Sequence, residues 1–333
     1  MNFLFPYLQN YERVQLANTC SWLNEVHNET PLAEGSFFQQ VPSVIPVVKL
    51  RLDTVKAKDL RLPWTRTLEL VDCEIQSLYA PKLNTVTSNR LVSFSHRVRH
   101  VFFNGCGLSE KRLTIDAENI YCHHCVARRL QTKAKLFIFA NCLYCGPGQV
   151  SFAEQITVHN DYISKDLLVP TDTKRLAFHK CTFQDEPRYP SMLTEFRNIA
   201  CNAILNDFNR LPFQHLRVLD LTDNFTLKEM PWIPKALEEL WIWHTGIHKF
   251  DFLSGLRNLR VLGITVRKIS DMDFVPETLN LLGLCLKESR ITLERFQRVK
   301  KIKIHMIMPY QGFRKQVPTT QCCIRHCSCI SNS

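Results

Sequence analysis

The densest set of chemically capable side chains runs Cys122-His123-His124-Cys125, followed by Cys142-Leu143-Tyr144-Cys145. The spacing C-x2-C-x16-C-x2-C is that of a tetrahedral zinc site, with thiolates around one ion. A second set, Cys322, Cys323, His326, Cys327 and Cys329, crowds into the C-terminal tail. Metal binding, lipidation of thiols near Arg314, Lys315 and Arg325, and a loosely ordered tail all fit that set. The chain holds 14 cysteines. Its apolar start, Met1 to Leu8, has no basic segment and meets Glu12 and Arg13 at once, which argues against a secretion signal. We therefore expect thiols in a reducing, intracellular setting, cytoplasmic or nuclear. The sequence contains no P-loop, G-x-G-x-x-G or G-x-S-x-G. No nucleophile, base and orienter are seen to converge, so the expectation is a non-catalytic protein without a cofactor.

The elements that position these residues are set by a repeat. Leu216 to Ile269 contains three successive copies of L-x-x-L-x-L-x-x-N-x-L, with conservative swaps. Their apolar slots are Leu216, Leu219 and Leu221; Leu237, Leu240 and Ile242; and Leu259, Leu262 and Ile264. This is the leucine-rich-repeat signature, at a period of about 22 residues. Carrying its L-x-L core outward gives strand pairs Leu50/Leu52, Leu68/Leu70, Val86/Ser88, Val101/Phe103, Ile120/Cys122, Phe137/Phe139, Ile156/Val158, Leu176/Phe178 and Phe196/Asn198. Leu282/Leu284 and Ile302/Ile304 follow the clean copies. The fold class is thus an α/β solenoid, a curved parallel sheet of about 14 repeats over residues 47–308. Early repeats, roughly 15–18 residues long, leave room only for loops or 3-10 turns opposite the strands, and later ones allow short helices at Ser254–Arg257 and Leu293–Arg298.

The same register supplies a second reading of the cysteines. Cys73, Cys106, Cys125, Cys142, Cys181 and Cys201 all fall in the N/C slot after the strand. A small polar side chain there bonds backbone groups of the turn. Cys122 is a core position, and Cys145 alone has no repeat role. Buried structural thiols are thus the expectation, with no metal ligands assigned. The register also places Phe102, Tyr121 and Trp241 between the apolar slots, on the concave face. His123, His159, His179, Trp243 and His244, with Lys180 and Arg197, extend that face. Aromatic side chains and arginine dominate binding hot spots, so this stripe is the expected partner surface.

Residues 1–30 depart from the repeat. Val14, Ala17, Cys20, Leu23 and Val26 recur every three residues behind a possible cap at Asn10, giving one amphipathic helix. Residues 31–46 form a connector with Pro31, Pro42 and Pro46, and residues 309–333 form the cysteine-rich tail. Phe3 to Val26 resembles the second and third helices of an F-box: an apolar block ending in Tyr7-Leu8, then Glu12, an apolar run, and Cys20 before Leu23. Arg13 stands where that family usually has leucine, Trp22 comes one position early, and the L-P-x-E opening is missing. The resemblance implies docking on a Skp-type adaptor of a cullin–RING ubiquitin ligase, through Leu4, Phe5, Leu8, Val14, Leu16 and Leu23. The repeats would then hold a protein substrate. Read without the resemblance, the same segment is a cap on the open end of the solenoid, and the chain a stand-alone protein-binding scaffold.

The net charge of +11 favours acidic partners. The one dense basic run, Lys287 to Lys303, reads first as a solvated face and second as a contact for nucleic acid or an acidic protein. Nucleic acid is disfavoured because the remaining charge is scattered. No apolar run is long enough for a helical membrane span.

Overall fold

The computed structural model describes residues 49–62, 65–90, 96–106, 113–125, 130–142, 150–163, 169–184, 189–201, 213–230, 233–266, 275–286, 296 and 298–306. The six F-box-like residues from Leu4 to Leu23, Cys145, the cysteine-rich tail and most of the basic run lie outside them. The chain divides into two compact units, Met1–Pro170 and Thr171–Ser333.

In the first unit the strands are β1 (Lys49–Asp53), β2 (Lys56–Arg61), β3 (Thr67–Val71), β4 (Glu74–Tyr79), β5 (Thr85–Ser88), β6 (Val98–Asn104), β7 (Leu113–His123), β8 (Leu130–Ala140), β9 (Val150–His159) and β10 (Tyr162–Ile163). Strands β1, β3, β5, β6, β7, β8 and β9 pair in parallel in that order. Their first apolar slots stand in one cross-strand row: Leu50, Leu68, Val86, Val101, Ile120, Phe137 and Ile156. All seven are buried. Alternate burial, as in Thr67–Val71, follows from the two-residue period of a pleated strand with one face packed.

The second unit repeats the plan with β11 (Arg175–His179), β12 (Thr182–Phe183), β13 (Glu195–Ile199), β14 (Val218–Asp220), β15 (Glu239–Ile242), β16 (Val261–Val266), β17 (Leu281–Leu286) and β18 (Lys301–Met306). Here the row is Leu176, Phe196, Leu219, Leu240, Leu262, Leu282 and Ile302, again buried throughout. Burying one such side chain contributes about 1.5–3 kcal/mol. No repeat covers its own row, so stability comes from stacking. Phe196 anchors an aromatic cluster, with Tyr189, Phe213 and Phe178 at centroid distances of 5.3, 5.5 and 6.3 Å.

Two expectations need correction. The short early repeats do not fill their second side with loops alone: β2 and β4 form a separate parallel pair, Leu60 beside Leu78, both buried. An 18-residue repeat still has length for a second strand, and Ile75 and Leu78 give it apolar residues to bury. In the second unit the predicted helix at Ser254–Arg257 is a 3-10 turn at Asp251–Gly255, burying Leu253. Of the other predicted helix, only residues 296 and 298 are described.

The turn after the strand has a backbone signature the apolar pattern does not carry. Thr54, Asp72, His124, Asn141, Asn160, Lys180, Ala200, Asp223 and His244 have φ between 51° and 63°, and Gly105 has φ 66°. Each directly precedes the N/C slot of its repeat. This left-handed residue aims its N–H at the next repeat: Thr54 donates to Val71 O at 2.8 Å, His124 to Ala140 O at 3.0 Å, and Asp223 to Trp243 O at 2.8 Å. The turn therefore prolongs the interstrand hydrogen bonding by one residue. Left-handed geometry costs an ordinary L-residue about 1–2 kcal/mol, and only asparagine, aspartate and glycine adopt it readily. Ala200→Gly should thus raise stability by about 0.5–1 kcal/mol after the added freedom of the unfolded chain is subtracted. Urea midpoints of the two proteins check this, and an unchanged midpoint would show that the turn carries no strain at that site.

Candidate functional site

The N/C slots form a ladder under the turns. Cys73 donates its thiol to Leu52 O at 3.4 Å and Val71 O at 3.3 Å. Cys125 donates to Phe103 O at 3.4 Å and His123 O at 3.3 Å, and Cys142 to Cys122 O at 3.5 Å and Ala140 O at 3.6 Å. Each thiol joins a carbonyl of the preceding repeat to one of its own turn. Asn224 does the same with an amide, donating to Asn198 O at 2.5 Å and Leu221 O at 2.8 Å. Burial pushes the Cys73 thiol up. A hydrogen bond with Cys125, together with burial, raises Cys106, and one with Cys181 likewise raises Cys201, while Cys125 itself is lowered by its bonds to Cys106, Cys122 and Cys142. Among the described residues, no three of His, Cys, Asp and Glu are grouped to hold a metal ion. Cys122, Cys125 and Cys142 sit in separate slots of two stacked repeats, as the register requires.

Among the described ladder positions Asp161 is the acidic one, buried to 7 % exposure. Its Oδ1 accepts from the Tyr162 N–H at 3.0 Å, and Oδ2 has no hydrogen-bond partner. Desolvation raises its pKa to about 6.

On the open face of the first unit, Phe102 stacks flat on Tyr121 at 4.6 Å and 6°. These are direct cross-strand neighbours, where aromatic pairs gain most. His100 lies beside Phe102, and the Asn119 amide donates to His100 Nδ1 at 3.0 Å. His123 is exposed and bridges two repeats, donating from Nδ1 to Asn104 Oδ1 at 3.4 Å and accepting at Nε2 from Asn141 at 3.2 Å. His159 is half-buried, and desolvation lowers its basicity.

The corresponding row of the second unit runs Arg197, Asp220, Trp241, Gly263, Gly283 and Lys303. Arg197 contacts Glu195 at 2.5 Å and Asp220 at 3.9 Å. Burial raises the Asp220 carboxyl above its ordinary range, opposed by a hydrogen bond from Thr222. Trp241 and Trp243 meet edge to face at 5.4 Å and 88°. Both are half-buried rather than fully exposed, because their rings fold over the glycines of the next two strands. A Cβ on Gly263 would stand 2.6 Å from Trp243 Nε1 and closer still to Trp241 Cε3, and one on Gly283 would stand 2.8 Å from Trp243 Cζ2. Glycine is present because the indoles need its space. Lys180 and His244 lie in the left-handed turns rather than on the strands themselves, and His179 is half-buried at the end of β11.

His244 also joins residues that the apolar register does not single out. Its Nδ1 stands 2.6 Å from Asp223 Oδ1, and its Nε2 stands 3.4 Å from Cys285 Sγ. Three reactive side chains thus converge where the sequence shows no such grouping. The only hint in the sequence is positional. Asp223 and His244 share the residue before the N/C slot in consecutive repeats, and Cys285 is an open-face strand position two repeats further on.

No family model matches the chain, and no curated protein matches it. Among solved structures, the chain is similar to YopM from Yersinia enterocolitica WA-314, with TM-score 0.43 and 14 % identity over 90 % of this chain and 69 % of that one.

Proposed function

We propose that this chain is a non-enzymatic recognition protein that holds a protein partner against the open sheet face of its second unit, around Trp241 and Trp243. One observation carries this reading: two adjoining tryptophans lie half-exposed over a glycine floor, flanked by Arg197 and Asp220. Preorganised indoles lose little conformational freedom on binding, and tryptophan and arginine are the commonest hot-spot residues. The stacked Phe102 and Tyr121 give the first unit a smaller patch of the same chemistry. Panning a displayed peptide library on the full chain, then ranking binders on Trp241→Ala and Trp243→Ala, tests the assignment. Peptides seated there should lose more than about 30-fold in affinity, the value of a 2 kcal/mol hot spot. Binders indifferent to both substitutions would move the partner surface elsewhere.

The F-box resemblance of residues 3–26 refines this to a substrate-recognition subunit of a cullin–RING ubiquitin ligase. In that reading Leu4, Phe5, Leu8, Val14, Leu16 and Leu23 engage or support a Skp-type adaptor, and the repeats bring the target's lysines to the ligase by raising local concentration. Co-purification with a Skp-type adaptor, present for the full chain and lost in Leu16→Asp but kept in Trp241→Ala, is the expected outcome. Failure of the full chain to bind any such adaptor leaves the stand-alone scaffold.

A further inference from the structure

We propose that Cys285, His244 and Asp223 form a reactive-thiol site, at which Cys285 is oxidised by a small hydroperoxide such as hydrogen peroxide. The three residues come from separate repeats: Asp223 from the turn after β14, His244 from the turn after β15, Cys285 from β17. The Asp223 carboxylate only accepts hydrogen bonds, so the 2.6 Å contact assigns the ring proton to Nδ1 of His244. That leaves the lone pair of Nε2 facing Cys285 Sγ at 3.4 Å. The imidazole is fixed from a second side, since the His244 backbone N–H donates to Thr265 Oγ1 at 2.8 Å. This is the order of roles that activates a weak nucleophile: thiol, base, and a carboxylate that orients the base and stabilises its cation. The ladder thiol of Cys73 faces carbonyl oxygens, which accept a hydrogen bond and take no proton. Cys285 faces a base.

The chemistry balances as follows. Nε2 takes the thiol proton, giving a thiolate beside an imidazolium. The thiolate sulfur attacks one peroxide oxygen, the S–O bond forms and the O–O bond breaks. The departing oxygen takes the proton from Nε2 and leaves as water, so Cys–SH and H2O2 become Cys–SOH and H2O. Sulfur is oxidised and peroxide reduced, with His244 returned neutral. Reagent size follows from burial: Cys285 is 2 % exposed, and the His244 side chain beside it 14 %. Hydrogen peroxide is little larger than water, whereas a bulky disulfide or peptide would have to displace the neighbouring side chains. Cys285 lies directly across from Thr265 on the same face as Trp243, so oxidation adds a polar oxygen next to the indole patch.

The test treats the full native chain with hydrogen peroxide for timed intervals, removes the peroxide with catalase, then unfolds the chain in dimedone and reads each cysteine by site-resolved mass spectrometry. Cys285 should be labelled at least tenfold faster than the ladder residues Cys73 and Cys106, which serve as internal references for opening of the fold. His244→Asn keeps a residue suited to left-handed backbone but too short to reach the sulfur, and should reduce the Cys285 rate at least tenfold with the ladder rates unchanged. Asp223→Asn keeps both the turn and a hydrogen-bond acceptor but removes the charge, and should reduce the rate several-fold; it decides the matter if His244→Asn proves unfolded. Labelling of Cys285 no faster than the ladder, or a rate unchanged in the folded variants, overturns the proposal.

Discussion

Gly263→Ala should destabilise the second unit by about 2–3 kcal/mol, the upper part of the range for forcing an extra carbon into a packed site. The Cβ would enter the space of two indole rings at once. Neither ring is the loose end of a flexible chain. Trp241 is held between strand neighbours Asp220 and Gly263, and its edge-to-face contact ties it to Trp243. Moving one ring therefore moves the other, and the backbone of β16 is pinned by hydrogen bonds on both sides. The matching control is Gly255→Ala, where a Cβ meets nothing within 4 Å. There the substitution should be neutral, or stabilise by up to about 0.5 kcal/mol through the unfolded chain. Urea unfolding separates the two, and near-ultraviolet circular dichroism reports the tryptophan pair directly. Equal stabilities for the two variants would mean that the indoles do not rest on the glycine floor. A folded Gly263→Ala protein should also lose the indole-dependent peptide binding, because its rings would stand in new positions.

How much of this was legible in the sequence depends on which physical rule carried each feature. The strand register was legible because the burial rule is strict. A slip of one residue would turn Leu219 or Phe137 to solvent, so the apolar slots show themselves at Leu50 as clearly as at Leu282. The cysteine ladder was legible for the same reason, since its slot is defined by distance from the strand. The strand pair β2 and β4 was not, because a segment such as KAKDLR carries too few apolar residues to announce a strand. The left-handed turns were hidden by composition: Asp72, Asn141 and Asn160 suit them, but Thr54, His124, Lys180, Ala200 and His244 do not. Their geometry is imposed by the hydrogen bond to the next repeat. Asn198 is a further case, an asparagine in an apolar slot, fully buried, whose amide has no hydrogen-bond partner. The Asp223–His244–Cys285 grouping is the deepest omission. It joins a turn to a strand two repeats away, and the apolar register, which follows slots within each repeat, does not read across repeats in that way.

Asp161→Asn should stabilise the protein at pH 7 and above by up to about 3 kcal/mol, with the gain vanishing near pH 3. The ladder slot is built for a donor. At Asn224 the amide donates to carbonyls of its own turn and of the preceding repeat, and at Cys142 a thiol does the same. Burial of Asp161 away from water disfavours the carboxylate, opposed in part by the N–H groups of Tyr162 and Cys142, and the neutral protonated form is favoured. This agrees with a folded pKa of about 6 against an ordinary 3.8, a difference worth roughly 3 kcal/mol at the usual conversion of pKa into free energy. The sign follows from linkage. Between about pH 4 and 6 the unfolded chain has released this proton while the folded chain keeps it, so stability falls as pH rises through that window and stays low above it. Asparagine keeps the oxygen that accepts from Tyr162 N–H and puts an NH2 group where Oδ2 has no hydrogen-bond partner. Because other carboxyls titrate in both proteins, the informative quantity is the difference between the two stability curves. It should rise from near zero at pH 3 to a plateau above pH 7. A flat difference would show that Asp161 is ionised in the fold with its charge satisfied, and a negative one that the carboxylate itself holds the turn.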